Sequence, residues 1–356
     1  MRLKIGMGHT INSSVQASSR RSPRFNYVAY GTAIDSDVHL PELEATQNQS
    51  RLLLAGKLCI QLGRPWTKVQ EPVNWLLKTS LPNGQQWMWA ARQQHGYLLR
   101  YFGLADFVVD REGAEISLSG AAPMSSRDTL GHLLLDQALP MVLGLRGIPA
   151  LHASTVVTRK GVCAFLGPAG AGKSTLAASF STAGYQVLGD DCLAIKEDDG
   201  FFAIPAYPGL RLWTDSALSL STDWSNAPTV AHYTGKRRIL SAPTAQGLPA
   251  DSEPLVVIYS LARETNDNGA SELRAPAIEP LQANEAFLQL LSASFMLDIT
   301  DRSVLTRNLR FIERILKVVA VRRLRIPNGF SWLPKVQEAV LKDLGVLEPN
   351  GTLSDR

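Results

Sequence analysis

Two stretches of this sequence carry residue types that could do chemistry together. Gly167-Pro168-Ala169-Gly170-Ala171-Gly172-Lys173-Ser174 meets the pattern G-x-x-x-x-G-K-[ST] at every specified position. Glycines at that spacing let successive backbone N–H groups turn inward around phosphate oxygens, and a helix starting there adds its positive end. Lys173 can reach the β- and γ-phosphates, and the Ser174 hydroxyl can ligate magnesium. Residues Gly167 to Thr175 are therefore expected to bind ATP with Mg2+. The second stretch is the acidic pair Asp190-Asp191. Phosphoryl transfer to a hydroxyl uses one carboxylate at the metal and one to take the proton, so two adjacent acids can serve both. Side chains alternate along a strand, which leaves open whether one or both face the phosphate. His152 is a third candidate, an imidazole that spacing alone places at either end of its strand.

The elements around these residues must hold them in register. Two short strands, His152 to Thr158 and Gly161 to Leu166, joined at Arg159 and Lys160, run directly into the glycine-rich loop. A helix from Lys173 to Ala183 follows, with Leu176, Ala177 and Phe180 on one face and Gly184 as its left-handed cap. Tyr185 to Leu188 is a strand that delivers Asp190 and Asp191 to the sheet edge where ligands bind. Cys192 to Lys196 and Phe201 to Pro205 form a hairpin turned at Asp198-Asp199-Gly200, and Leu255 to Leu261 is a buried strand. Asn284 to Phe295, Val304 to Val319 and Leu333 to Leu344 have helical apolar spacing. Upstream, short alternating runs from Phe25 to about Ser126 predict a β-rich region without a catalytic constellation, followed by a helix from Asp128 to Leu145. The expected organisation is a basic disordered tail (1–24), a smaller β-rich N-terminal domain (25–127), an α/β domain (128–346) and a C-terminal tail (347–356).

Bulk properties exclude several classes. The net charge of +4 comes from Arg2, Lys4, Arg20, Arg21 and Arg24, which lie in a stretch without acids; without those five, 31 basic residues face 32 acidic ones. Net charge thus gives no support to a nucleic-acid partner. Three cysteines at 59, 163 and 192 match neither a disulfide framework nor a zinc site, which points to a reducing, cytoplasmic setting. The most apolar stretch, Leu130 to Leu151, is interrupted by His132, Asp136, Pro140, Arg146 and Pro149, so no membrane span is expected.

Leu151-His152-Ala153-Ser154, the loop Gly167 to Ser174 and Gly189-Asp190-Asp191 together resemble the catalytic domain of HPr kinase/phosphorylase, a P-loop kinase. The resemblance covers His152 to about Trp213 and implies a serine kinase in which Asp190 accepts the proton of the target serine. It implies that Asp191 assists near the magnesium ion, and that His152 tunes the aspartate. The family's Glu-x-Arg-Gly segment reads Gly209-Leu210-Arg211-Leu212-Trp213 here; the arginine survives and the glutamate does not. That puts a phosphorylase activity in doubt and leaves Arg211 to neutralise phosphoryl charge. Within this group the chain looks like the kinases of lasso-peptide biosynthesis, on Leu-His-Ala-Ser, Pro208-Gly-Leu-Arg-Leu-Trp213, Tyr30-Gly31 and Leu40-Pro-Glu-Leu43. The acceptor implied is the terminal serine of a precursor peptide; a phosphocarrier protein is the alternative acceptor, and a nucleotide-driven regulatory or assembly protein the alternative class. The family often forms homo-oligomers. Finally, Gly235-Lys236-Arg237-Arg238 follows a Ser-, Pro- and Asn-rich stretch and is expected on a mobile loop that closes over nucleotide or holds acidic substrate residues.

Overall fold

The computed structural model describes residues 24–46, 55–62, 74–81, 83–121, 125–207, 209–239, 251–263 and 274–347. The tail expected at 1–24, apart from Arg24, lies outside the described residues, as do Pro208 and all of the C-terminal tail beyond 347. The protein is of mixed α/β class and is organised on two large sheets.

The first sheet has eight strands in the order Phe25–Ala29, Thr32–Ser36, Ala55–Leu62, Glu115–Ala121, Ala105–Asp110, Gly96–Tyr101, Gln86–Gln93 and Leu77–Ser80. Its alternating runs bury one face, where Tyr27, Leu58, Leu99 and Phe107 meet a long helix. That helix runs as Arg127–His132, a π-helical stretch Leu133–Ala138, and Leu139–Leu145. Ser126 caps it, its hydroxyl accepting the Thr129 N–H at 3.2 Å. The widening has a cause in the sequence: Pro140 has no N–H to give the Asp136 carbonyl, and its ring would clash there in a regular helix. The Leu139 N–H accordingly reaches back five residues to Leu134. Leu133, Leu134, Ala138, Leu139 and Val142 are buried in the same core as the first sheet.

The second sheet runs Gln186–Gly189, Ser154–Thr158, Gly161–Leu166, Glu253–Arg263, Phe201–Ile204, Leu193–Glu197 and Ala150–Leu151, and Ala320–Ile326 also pairs with Glu253–Arg263. Gly161–Leu166 lies between an antiparallel neighbour, Ser154–Thr158, and a parallel one, Glu253–Arg263. It is apolar throughout because both faces are covered. Cys163 and Phe165 meet Leu176, Phe180, Val336 and Val340 from helices Lys173–Thr182 and Leu333–Asp343. Val162, Ala164 and Leu166 meet Leu290, Phe311, Ile312 and Ile315 from helices Ala283–Ala293 and Arg302–Val318. Burial pushes the Cys163 thiol up to about 12, as suits a small core residue rather than a reactive one. Among the described residues no helix is long and apolar enough to cross a membrane.

Candidate functional site

Strand Gly161–Leu166 ends where the glycine-rich loop begins, and helix Lys173–Thr182 starts where it ends. Gly170 and Gly172 have φ of +81° and +97°, a left-handed backbone that other residues rarely adopt. A Cβ on Gly172 would stand 2.8 Å from Nη2 of Arg263, so a side chain there would have to displace that guanidinium as well as adopt the left-handed backbone. Arg263 closes the parallel strand Glu253–Arg263, and its Nε donates to the Ala171 carbonyl at 3.2 Å. Lys173 Nζ donates to the carbonyls of Gly167 at 2.9 Å and Pro168 at 3.3 Å. Burial lowers the Lys173 pKa, while Asp191 and Asp190 work the other way.

A cavity of about 610 Å³ opens over this loop. Ala169, Gly170, Gly172, Lys173, Ser174 and Thr175 form one wall, and His152, Asp191, Arg211, Trp213 and Lys236 form another. Gly167, Pro168, Ala171, Asp190, Arg237 and Arg238 do not line it. The volume lies in the range of small-molecule sites.

The acidic pair divides sharply. Asp190 is 2% exposed, and both of its carboxylate oxygens are occupied: Oδ1 accepts from the Ser154 hydroxyl at 2.5 Å and Oδ2 from the Arg211 N–H at 2.9 Å. Burial, and then the neighbouring Asp191 charge, raise its pKa. The strand stops at Gly189, and Asp191 takes φ of +65°, a conformation aspartate tolerates better than most residues. That turn puts Asp191 on the cavity. Burial opposes its charge, but Lys236 and His152 outweigh that cost and keep its pKa low. Lys236 Nζ stands 4.0 Å from Asp191 Oδ2. His152 Nδ1 lies 2.9 Å from the Asp191 backbone carbonyl. A carbonyl only accepts, so Nδ1 carries the proton and, in the neutral ring, Nε2 is left as an acceptor. The imidazole thus touches the Asp191 main chain, not the Asp190 carboxylate it was expected to tune.

Arg211 is 3% exposed and pairs with Asp136, Nη2 to Oδ1 at 3.0 Å and Nε to Oδ2 at 3.1 Å. The basic cluster does not form a mobile loop. Lys236–Ile239 is a strand paired antiparallel with Leu210–Trp213, so that Arg211 faces Arg238 and Trp213 faces Lys236. The cluster then separates: Arg238 turns to Glu42 at 2.9 Å and Asp128 at 3.3 Å, Arg237, on the opposite face of the strand, donates to the Ala227 carbonyl at 3.0 Å, and of the three only Lys236 lines the cavity.

Two residues of the site escaped the sequence reading. Arg263 sits at the end of the strand parallel to the loop strand, and such strand ends gather at one sheet edge; reading two residues past Leu261 would have found it. Asp136 appeared only as an interruption in an apolar run, yet a charge inside the most apolar segment signals a buried partner.

No family model matches the chain, and no curated protein matches it. Among solved structures the chain is similar to the Hpr(Ser) kinase/phosphatase from Coxiella burnetii, with 14% identity, coverage of 55% of this chain and 97% of that chain, and a TM-score of 0.31. Likeness at that level carries no weight for the assignment of the site.

Proposed function

We propose that the protein is an ATP-dependent kinase that transfers a phosphoryl group to a serine hydroxyl of a peptide, the terminal serine of a lasso-type precursor being the acceptor the sequence resemblance favours. One observation carries the reading: phosphate-loop residues including Gly170, Gly172, Lys173 and Ser174 line a single cavity with the carboxylate-bearing Asp191 and, beside it, Lys236. A nucleotide switch has no evident need for that second wall.

In this reading the loop N–H groups and Lys173 hold the donor phosphates, and Arg263 fixes the loop by its bond to Ala171. Magnesium bound with the nucleotide would supply charge neutralisation at the transferring phosphate. The residues fit it: Ser174, on the cavity wall, would offer its hydroxyl as a ligand. Among the described residues no cluster of three or more His, Cys, Asp or Glu side chains offers a metal site that would need no nucleotide. Asp191 receives the proton of the acceptor hydroxyl, the role assigned from sequence to Asp190, because Asp191 reaches the cavity and Asp190 does not. Lys236 and His152 lower its pKa against the effect of burial, so the carboxylate is in its ionised form. Lys236 and the wall around His152 then face the acceptor.

The test is mass spectrometry of serine-bearing peptides, lasso-type precursors included, after incubation with the protein, magnesium and ATP. A phosphopeptide formed by the wild type and reduced about 1,000-fold in Asp191→Asn is the expected result, a loss within the range for a missing general base. ATP binding without any phosphopeptide would exclude the peptide kinase. A phosphorylated phosphocarrier protein in its place would leave the chemistry and change the acceptor.

A further inference from the structure

Beneath the cavity lies a buried polar assembly to which no role has been given. Asp136, 4% exposed, sits in the π-helical stretch Leu133–Ala138 of the helix that packs on the first sheet. Its carboxylate takes both arms of Arg211, at 3.0 and 3.1 Å, together with His132 Nδ1 at 2.6 Å and the Tyr207 hydroxyl. Tyr207 in turn accepts from Arg211 Nη2 at 2.6 Å. The guanidinium is therefore gripped at Nε and Nη2, and Nη1 donates to the Gly209 carbonyl at 3.2 Å. From the same residue the main-chain N–H donates to Asp190 Oδ2 at 2.9 Å, and Asp190 is the residue before the Asp191 turn.

Resting on the kinase reading, we infer that Asp136 is a positioning residue: by fixing Arg211 it fixes the Arg211 N–H, and through Asp190 it holds Asp191 at the transfer point. The physical grounds are direct. A buried arginine and carboxylate with all four strong contacts made have one low-energy arrangement, since any other leaves a charge uncompensated. The π-helical stretch exists because of Pro140, so the backbone that carries Asp136 into the assembly is itself set by sequence. Misplacing a reacting group by about 1 Å costs on the order of 100-fold in rate without a change in binding.

Asp136→Asn keeps the shape and removes the charge. The expected result is a kcat for peptide phosphorylation about 100-fold lower, with affinity for a fluorescent ATP analogue unchanged, because the loop does not touch Asp136. A merely structural defect would lower both, or neither once the protein is folded. Unchanged kcat in folded Asp136→Asn overturns the inference. If that variant does not fold, Tyr207→Phe loosens one arm of Arg211 without stranding a charge; a smaller fall in kcat at constant nucleotide affinity supports the inference, and no fall overturns it. If the wild type phosphorylates no acceptor, the kinase reading fails separately. A crystal structure of the folded variant then decides: an Arg211 N–H still bound to Asp190 refutes the positioning role, and its loss supports it.

Discussion

The two walls of the cavity are built in opposite ways. The phosphate wall comes from one continuous segment, Gly161 to Thr182, in which strand, loop and helix follow without interruption. The facing wall is assembled from His152, Asp191, Arg211 and Lys236, whose hold comes from Asp136, Glu42 and Asp128 far away in the chain. Donor binding needs a fixed cradle that a short local sequence can encode, whereas acceptor recognition needs surfaces that can vary independently. Local damage should therefore be severe at the first wall and graded at the second.

Lys173→Ala should have the largest effect, abolishing detectable ATP binding in a titration with fluorescent nucleotide and with it all transfer, since the other cation beside the loop, Arg263, is engaged with the Ala171 carbonyl. Retained nanomolar or micromolar binding would break the comparison by showing that the facing wall holds the nucleotide. Arg263→Ala should cost less, about tenfold in nucleotide affinity, because it acts by bracing the Ala171 carbonyl from outside the loop; isothermal titration with ATP measures this. The smallest effect is on stability. Asp190 has a raised pKa in the folded protein, so the folded state binds its proton more tightly than the unfolded state. Its favourable contribution is complete below the ordinary value of 3.8 and is lost as pH rises through the folded value. Asp190→Asn removes that loss, and its amide can still serve Ser154 and Arg211. The variant should melt above the wild type at pH 7 and the gap should close toward pH 3, as followed by calorimetry. A variant that melts lower at pH 7 would mean that the ionised carboxylate stabilises the turn.

The same division explains what could be read from the sequence. The loop, its flanking strand and helix, the hairpin Leu193–Glu197 with Phe201–Ile204, and helices Ala283–Ala293, Arg302–Val318 and Leu333–Asp343 all follow from period and capping signals within a few residues of each other. The roles of Asp190 and Asp191 did not follow, because a positive φ at Asp191 turns the chain where an extended strand would have continued. The fate of Lys236, Arg237 and Arg238 did not follow either. Pairing with Leu210–Trp213 made a strand of a segment whose composition reads as loop, and the buried carboxylate of Glu42 holds Arg238 in the interior. The second miss is long-range: the deciding partner, Leu210–Trp213, is remote in sequence, and no local window contains it.

The ion pair between Arg238 and Glu42 bears on how the molecule could be divided. Glu42 belongs to the N-terminal region and Arg238 to the ribbon that carries Arg211, and both are largely buried. Asp298, fully buried, is likewise paired with Arg92 of the first sheet. A fragment starting at residue 128 would keep every residue of the phosphate loop and yet leave Asp298 without its Arg92 partner, Arg238 with Asp128 but without Glu42, and a bare leucine face on its first helix. The N-terminal region thus supplies counter-charges and apolar cover to the second half, and a shortened chain would have to be obtained by replacing those charges, not by trimming alone.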